Sequence, residues 1–480
     1  MFRFSEIEDR HFKGFLWSGK LDEYMDEVFE QLWELSSFGQ FELVRYVKEK
    51  GANPSLGVLS STFGIDKEDA KRFLRNPYRE FFVPVVGEGE RLVRGITIRG
   101  LESVITNHEH LKGSMEVIKD FLGSGFGLFF DEEFSGESYM LPAVVSLYIE
   151  NPPPKVVFTG KIDKEGNIYE VNGIPKKRAL AQKEGLRLIE PSYLDSVRAL
   201  KDWLDAERYH IPFYITKSKE NYEGELQSFH SHLTFEEPEK TLDLLEVING
   251  IPKERLVVLT GQIPPEESVW EEIVREFYLR VKEIESALGA REVLHIAMNA
   301  PSALAFALGA VFGSQKPFVF YHYQNGDYKP IKVENVRSLK ERLTDYKHID
   351  HQLEGEGREL VVAFAIAYHD PVASVKEFTQ GMDSTLLVVR HKSSGNVPVE
   401  EMFEVAKESA SLIQDLRSGK DYESFHFFLS VPVPVAFMVG VAFGCYNPGY
   451  VYNYQGKSYA KVIGLESIRR IREEGGEVSP

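Results

Sequence analysis

Between Leu294 and Ile331 apolar runs alternate with short polar breaks, and the same succession returns 131 residues later, from Phe425 to Val462. In the first copy the run Val293 to Met298 is short enough for a buried strand. After a proline-containing loop, the small and apolar residues Ala303 to Phe312 predict a helix packed closely on a sheet. Pro317 to Tyr323 predicts a further strand. At constant offset the copies share Pro301/Pro432, Gly309/Gly440, Phe312/Phe443, Gly313/Gly444, Tyr323/Tyr454 and Tyr328/Tyr459. Shared turn and core residues at one offset indicate a duplicated unit. Leu256 to Val258 and Leu387 to Val389 extend the match upstream, each followed by an amphipathic helical pattern. Strands alternating with helices imply parallel βαβ units, and ligands of such sheets sit at the carboxyl ends of strands. Those ends carry Thr260, Gly261 and Gln262, then Asn299, Pro301 and Ser302, in the first copy. In the second they carry Arg390, His391, Lys392 and Ser393, with Ser430 to Pro432 beyond. Two like halves facing each other would build one pseudo-symmetric cleft suited to a nearly two-fold symmetric ligand.

A second pattern runs from Val156 to Ser192. It predicts a strand, a turn at Asp163 to Asn167, a strand, a tight turn at Asn172-Gly173 and a helix opening at Pro175. Gly185 ends that helix, and a last strand leads to Pro191. Before it, Pro142 fits only the first turn of a helix, which places a helix start near Ser138. Further upstream, Leu21, Tyr24, Met25, Val28, Phe29, Leu32 and Trp33 fall on one helical face, and Gly57 to Leu74 has a helix-turn-helix look. The polar stretch Lys217 to Glu239 predicts a linker.

The double block resembles the SAVED domain, a fusion of two CARF-like, Rossmann-like halves that senses cyclic oligonucleotides in prokaryotic antiviral systems. The resemblance rests on "APSALAFALG" and "VPVPVAFMVG", each followed by an aromatic strand and a late tyrosine. The stretch Val156 to Ser192 resembles the proteolytic domain of Lon. Matched residue by residue, Lys177 falls on that family's catalytic lysine and Thr159-Gly160 on its Thr-Gly pair, with Thr159 in support. Gly136-Glu137-Ser138 falls on the nucleophile motif. Ser135 and Ser146 compete with Ser138; Ser146 lies mid-helix, and Ser135 has poorer flanking residues. Serine is a weak nucleophile until a base takes its proton. Lysine serves as that base only when neutral, so its pKa must fall from about 10.4 toward about 7–8 through burial. Backbone N–H groups at a helix start would bind the developing oxyanion. The motif departs from the family at Glu137, where a proline is usual, at Lys161, where a glutamate is usual, and at the bulky Tyr139 and Met140. A carboxylate beside Lys177 would hold its proton, so Glu137 must point away or the site rests inactive.

Composition narrows the setting. The formal charge of −18 argues against a broad nucleic-acid surface, so no DNA partner is expected. Local cations at Arg390, His391 and Lys392 could still meet the phosphates of a small ligand, or be a solvated turn. The first copy has Leu259, Thr260 and Gly261 there, so the halves would contact a ligand unequally. Cys445 is the only cysteine, which excludes an intramolecular disulfide and fits a reducing, cytoplasmic setting. No apolar run approaches a membrane span and no signal peptide opens the chain. The pairs His108/His110, His230/His232 and His348/His351 lack zinc-type spacing with other ligands and are expected at the surface, so no metal is predicted. No phosphate loop of an unfolding motor is present.

The expected fold class is therefore α/β multidomain. It comprises a helical region over 1–80, a Lon-like α+β domain over 81–215, a linker over 216–250 and a SAVED domain over 251–480, with halves at about 251–340 and 341–465. The combination resembles the CRISPR-associated Lon protease group, a Lon–SAVED fusion. The resemblance implies a Ser–Lys protease without cofactor, activated by cyclic tetra-adenylate from a type III CRISPR complex. It implies cleavage of a specific protein partner that is anti-sigma-factor-like. Unlike halves leave free faces that predict ligand-induced head-to-tail assembly. A second reading is a non-catalytic signalling protein whose Lon-like domain only binds a partner.

Overall fold

The computed structural model describes residues 3–476 except Glu88, Asn221, Ser394 and Gly395. It divides into two compact units, one of residues 1–206 with 247–249 and one of 207–246 with 250–480.

The first unit is built on a four-stranded sheet ordered Tyr78–Val85, Arg91–Leu101, Gly125–Phe130, Val104–Thr106. The N-terminal helices cover one face of it, because Phe12, Leu16, Phe29, Phe41 and Phe73 share a core with Ile96, Ile98 and Phe129 of the strands. The expected single helical face at Leu21 to Trp33 is broken. A short helix, Met25–Glu30, stands between 3-10 turns, and Tyr24 and Trp33 are exposed. The helix-turn-helix look resolves into the helices Leu56–Phe63 and Lys67–Arg75. Asp66 caps the second by accepting the Asp69 N–H. This hairpin is packed onto the sheet: Asp69 is buried and accepts the N–H groups of Glu102 and Ser103, while Leu59 and Phe73 enter the core. The helix Met140–Tyr148 is buried nearly throughout, and Ser146 lies mid-helix with its hydroxyl 2.6 Å from that of Thr97.

From Val156 onward the elements follow the sequence pattern. Val156–Phe158 pairs in parallel with Arg187–Ile189, and Lys161–Ile162 pairs antiparallel with Ile168–Tyr169. Asp163 closes the turn by accepting the N–H groups of Glu165 and Asn167. Gly173 takes a positive φ of 78° immediately before the helix Ile174–Lys183.

The second unit holds two sheets. One is ordered Val257–Leu259, Tyr209–Thr216, Glu292–Asn299, Phe318–Gln324, Asp327–Val333. The other is ordered Ile349–Glu354, Ser384–His391, Glu359–Ala365, Phe425–Ser430, Gly449–Gln455, Ser458–Gly464. In each, four strands run parallel and the last is antiparallel; in the second sheet the first strand, Ile349–Glu354, is antiparallel as well. The helices Ser302–Phe312 and Val433–Phe443 pack on each other. A Cβ on Gly309 would lie 2.0 Å from the Phe437 carbonyl oxygen, and one on Gly440 2.1 Å from that of Phe306. Only glycine permits this backbone-to-backbone approach.

Two boundaries differ from expectation. Tyr209–Thr216, assigned to the first domain by sequence, is an interior strand of the first sheet, between Val257–Leu259 and Glu292–Asn299. The presumed linker 216–250 is the connection that carries the chain from it to Val257–Leu259. Parallel neighbours require such a crossover of a dozen or more residues, and its helix Tyr222–His230 packs Phe229 into the core. The segment looked like a linker because its charges face outward. Residues 247–249 return to the first unit, where Arg187 donates to the Val247 carbonyl.

Candidate functional site

In the first unit, the helix Ile174–Lys183 is too short to bury a whole face. It turns Lys177, Leu180 and Ala181 inward, leaving Lys177 only 3 % exposed. The ammonium donates to the Thr159 hydroxyl at 2.9 Å and pairs with no described carboxylate. Burial lowers its pKa to about 8. Thr159 is itself fully buried and held by the Ile189 carbonyl. Ser138 stands in the turn before the helix Met140–Tyr148. Its carbonyl accepts the Gly160 N–H and the Leu141 N–H donates to the Gly160 carbonyl, so the Thr159-Gly160 segment is tied to the helix start from both sides.

Ser138 and Lys177 line one cleft of about 410 Å³ together with Ser135, Glu137, Lys161 and Asn172. Ser138 is half-buried, Ser135 exposed. Among the described residues the Ser138 hydroxyl makes no hydrogen bond. Glu137 points away from Lys177 and pairs with Lys161 at 2.7 Å, so the two charged departures from the family pattern neutralise each other at the rim. Tyr139 faces the opposite way. It is fully buried against Phe130 and Phe134, with its hydroxyl 2.6 Å from Ser114. Such an arrangement suits acyl transfer: a hydroxyl, a buried amine held near neutrality and a helix start share one opening.

In the second unit a cleft of about 600 Å³ opens at the carboxyl ends of the strands. It is lined by Tyr214, Glu225, Asn299, His322, Tyr323 and Tyr328, with Val433 reaching in from the second sheet's helix. Glu225 accepts the hydroxyls of Tyr214 and Thr216. Tyr323 and its repeat counterpart Tyr454 are exposed, and each ring rests on the next, Tyr328 or Tyr459.

Of the ligand residues expected from sequence, Asn299 lines this cleft. Pro301 and Ser302 begin the adjoining helix, and Ser302 donates to the Val431 carbonyl, so the two helix starts touch. Thr260 and Gly261 follow an edge strand, where the Thr260 N–H donates to the Thr216 carbonyl and Gln262 is exposed. The basic trio does not converge on the cleft. Arg390 pairs with Asp370 at 3.1 Å, and His391 lies 2.9 Å from the Glu401 carboxylate and 3.2 Å from the Ser393 carbonyl. Lys392 donates to the Tyr346 carbonyl. Sequence reasoning missed Glu225 and His322. Their only signal was a place one or two turns from a strand end in an element that had been read as a linker, or beside Tyr323.

The histidine pairs depart from expectation as well. His108 and His230 are buried, because each satisfies its ring by hydrogen bonding: His108 to Asn107 and the Glu132 carbonyl, His230 to Glu239. Among the described residues no group of three or more His, Cys, Asp or Glu side chains could hold a metal ion. No described helix is long and apolar enough to cross a membrane.

Residues 277–465 match the SAVED domain. Its family description is "SMODS-associated and fused to various effectors sensor domain". The matched span begins inside the helix Glu267–Leu288, so the strands Tyr209–Thr216 and Val257–Leu259 lie outside it although they complete the first sheet. Among solved structures, similarity is found to the Cap4 SAVED/CARF-domain containing receptor of Acinetobacter baumannii. With the cyclic trinucleotide 2'3'3'-cAAA it is 16% identical, covering 56% of this chain and 54% of that one at a TM-score of 0.37. With 3'3'3'-cAAA the identity is 16%, the coverage 56% and 54%, and the TM-score 0.38. The Moraxella osloensis Cap4 receptor is 17% identical, covering 54% of this chain and 50% of that one at a TM-score of 0.32. The chain thus spans about half the length of these receptors. A comparison with curated proteins finds no match.

Proposed function

We propose that this protein is a cyclic-oligoadenylate-activated serine protease of Lon type, with Ser138 as nucleophile, Lys177 as general base and Thr159 holding the lysine. The observation that carries the reading is Lys177: a lysine buried to 3 % exposure with no carboxylate partner, opening on the same cleft as a serine at a helix start. Burying an ammonium is costly, and chemistry is the reason to keep one there. In the reaction Ser138 Oγ attacks a peptide carbonyl while Lys177 Nζ takes its proton. The N–H groups of Ser138 and Tyr139, which donate to no backbone carbonyl among the described residues, face the oxyanion. Lys177 then returns the proton to the leaving amine. In the described arrangement Lys177 is turned to Thr159, which fits a resting site that a ligand must complete.

The SAVED match supports a cyclic oligonucleotide as that ligand, with cyclic tetra-adenylate in type III CRISPR antiviral defence as the finer assignment. The strand-end cleft is consistent with it. The carboxylate of Glu225 is an acceptor suited to an adenine amine rather than a phosphate, and Tyr323 offers a stacking face. The adjoining helix starts supply N–H donors for phosphate. Pro434 removes one of these in the second helix, so the halves contribute unequally. Two like sheets support the duplicated CARF-like reading. Without a motor, the protease would cut an exposed loop of a chosen, anti-sigma-factor-like partner, in head-to-tail assemblies formed on ligand binding.

The test is labelling of the full chain with a fluorophosphonate probe, with and without cyclic tetra-adenylate, and mapping of the adduct. An adduct on Ser138 that grows with ligand is expected. An adduct on Ser135 reassigns the nucleophile, and none under either condition favours the non-catalytic reading.

A further inference from the structure

The helix Val433–Phe443 has a cleft at each end. Val433 lines the strand-end cleft, while Ala442 and Phe443 line another of about 420 Å³, roughly 15 Å away along the helix. This second cleft has a different chemistry. Its floor is apolar, made by Leu339, Ile413 and Phe443, and its walls carry Lys340, Arg417 and the amides of Gln414 and Asn447. Tyr446, 64% exposed, stands at its edge, with the Arg472 guanidinium 5.9 Å from the ring centre. Arg417 donates to the Asn447 amide oxygen at 3.3 Å.

Charge sets this cleft apart. The chain carries 74 acidic against 56 basic residues, and many of its surface cations are paired, Arg358 and Arg470 among them. Lys340, Arg417 and Arg472 pair with no described carboxylate. Burial, followed by the charges of Arg472 and Arg417, holds the Lys340 ammonium below the usual lysine range. Three cations gathered without a counter-charge repel one another, and an anion in the cleft relieves that repulsion.

We infer that this cleft is a second ligand site, for a nucleoside phosphate. Lys340 and Arg417 face the phosphate with Arg472 beside them, Tyr446 stacks on the base, and the free amide groups of Gln414 and Asn447 meet its edge. The site lies at the opposite end of the helix from the strand-end cleft and does not depend on the Ser138 reading.

Calorimetric titration of the full chain with 5'-AMP and with inorganic phosphate tests it. AMP binds more tightly than phosphate. The double variant Lys340→Ala/Arg417→Ala weakens both by about tenfold or more, the loss of charge-assisted contacts. Tyr446→Ala weakens AMP by about tenfold and leaves phosphate within about twofold, whereas Tyr446→Phe retains AMP, since stacking needs only the ring. Absence of saturable AMP binding at millimolar concentration, or AMP binding indifferent to the double variant, overturns the site. A polyglutamate peptide that displaces AMP and binds more tightly overturns the nucleotide in favour of an acidic protein segment.

Discussion

A lysine in the cleft of the first unit and a basic run at the strand ends of the second are held in opposite ways. In the first, Lys177 is buried, without a carboxylate, and its only described side-chain partner is a threonine hydroxyl. At the strand ends of the second, Arg390, His391 and Lys392 sit near the surface, and each is engaged by the protein itself. A run of basic residues at a favourable place is therefore a poor guide to a ligand, while a lysine kept where solvation is lost and without a carboxylate is a place to test for chemistry. The first arrangement costs stability and the second does not, so each can be challenged separately.

The largest effect is expected from the first cleft. Ser138→Ala and Lys177→Ala each lower probe labelling or proteolysis by about a thousandfold or more. The double variant is no worse than either single one, because the pair acts as a unit. Wild-type rates in Ser138→Ala would transfer the role to Ser135.

Next comes pH. With a lysine pKa of about 8, the neutral base gains about tenfold per unit from pH 6 and levels off above about 8. A flat profile would remove Lys177 as the titrating base. The same group sets a stability term. Its folded pKa is depressed from 10.5 to about 8, so the unfolded chain binds the extra proton between these values, and stability rises with pH across that window. Below it the penalty is of order 3 kcal/mol. Lys177→Met therefore raises the unfolding temperature at pH 7 while abolishing labelling, and a lowered temperature would show the lysine to be structural.

In the second unit, Gly440→Ala drives a Cβ into the Phe306 carbonyl and costs about 1–3 kcal/mol. Differential scanning calorimetry should show the loss in the second unit. Ligand contacts come last. Tyr323→Ala weakens cyclic tetra-adenylate by about tenfold through lost stacking, whereas Lys392→Ala changes affinity less than about twofold because its ammonium already serves Tyr346. Equal losses in the two variants, read by equilibrium binding, would erase the contrast drawn above.

Much of this could be read from the chain. The offset of 131 residues located the strands Glu292–Asn299 and Phe425–Ser430 and their crossing helices to within a residue or two. The Asn172-Gly173 turn and Pro175 fixed the helix that carries Lys177. The interior strands Tyr209–Thr216 and Glu359–Ala365 were hidden for a definite reason. Their aligned positions Ile211 and Leu360, which pair with Leu294 and Phe425, stand 149 residues apart rather than 131. The connection after the first is longer by the helices Tyr222–His230 and Pro238–Leu244, where the second has only Val372–Phe378. A search at one spacing cannot see across an insertion. Side-chain pairing was hidden for a different reason: nothing local in "RHKS" announces Asp370, Glu401 or Tyr346, which approach from other elements.

The reciprocal contact of Gly309 and Gly440 has a mechanical corollary. The two helices meet backbone on backbone at these glycines, with the Phe312 ring packed against Phe437 beside them. The two sheets of the second unit are thereby closely coupled, which disfavours closing of the strand-end cleft like a jaw. Whatever work ligand binding performs has to appear at the periphery, in the loops that frame the strand ends or in contacts with another molecule. Such a unit would act as a rigid template that changes what it presents, not how it is bent.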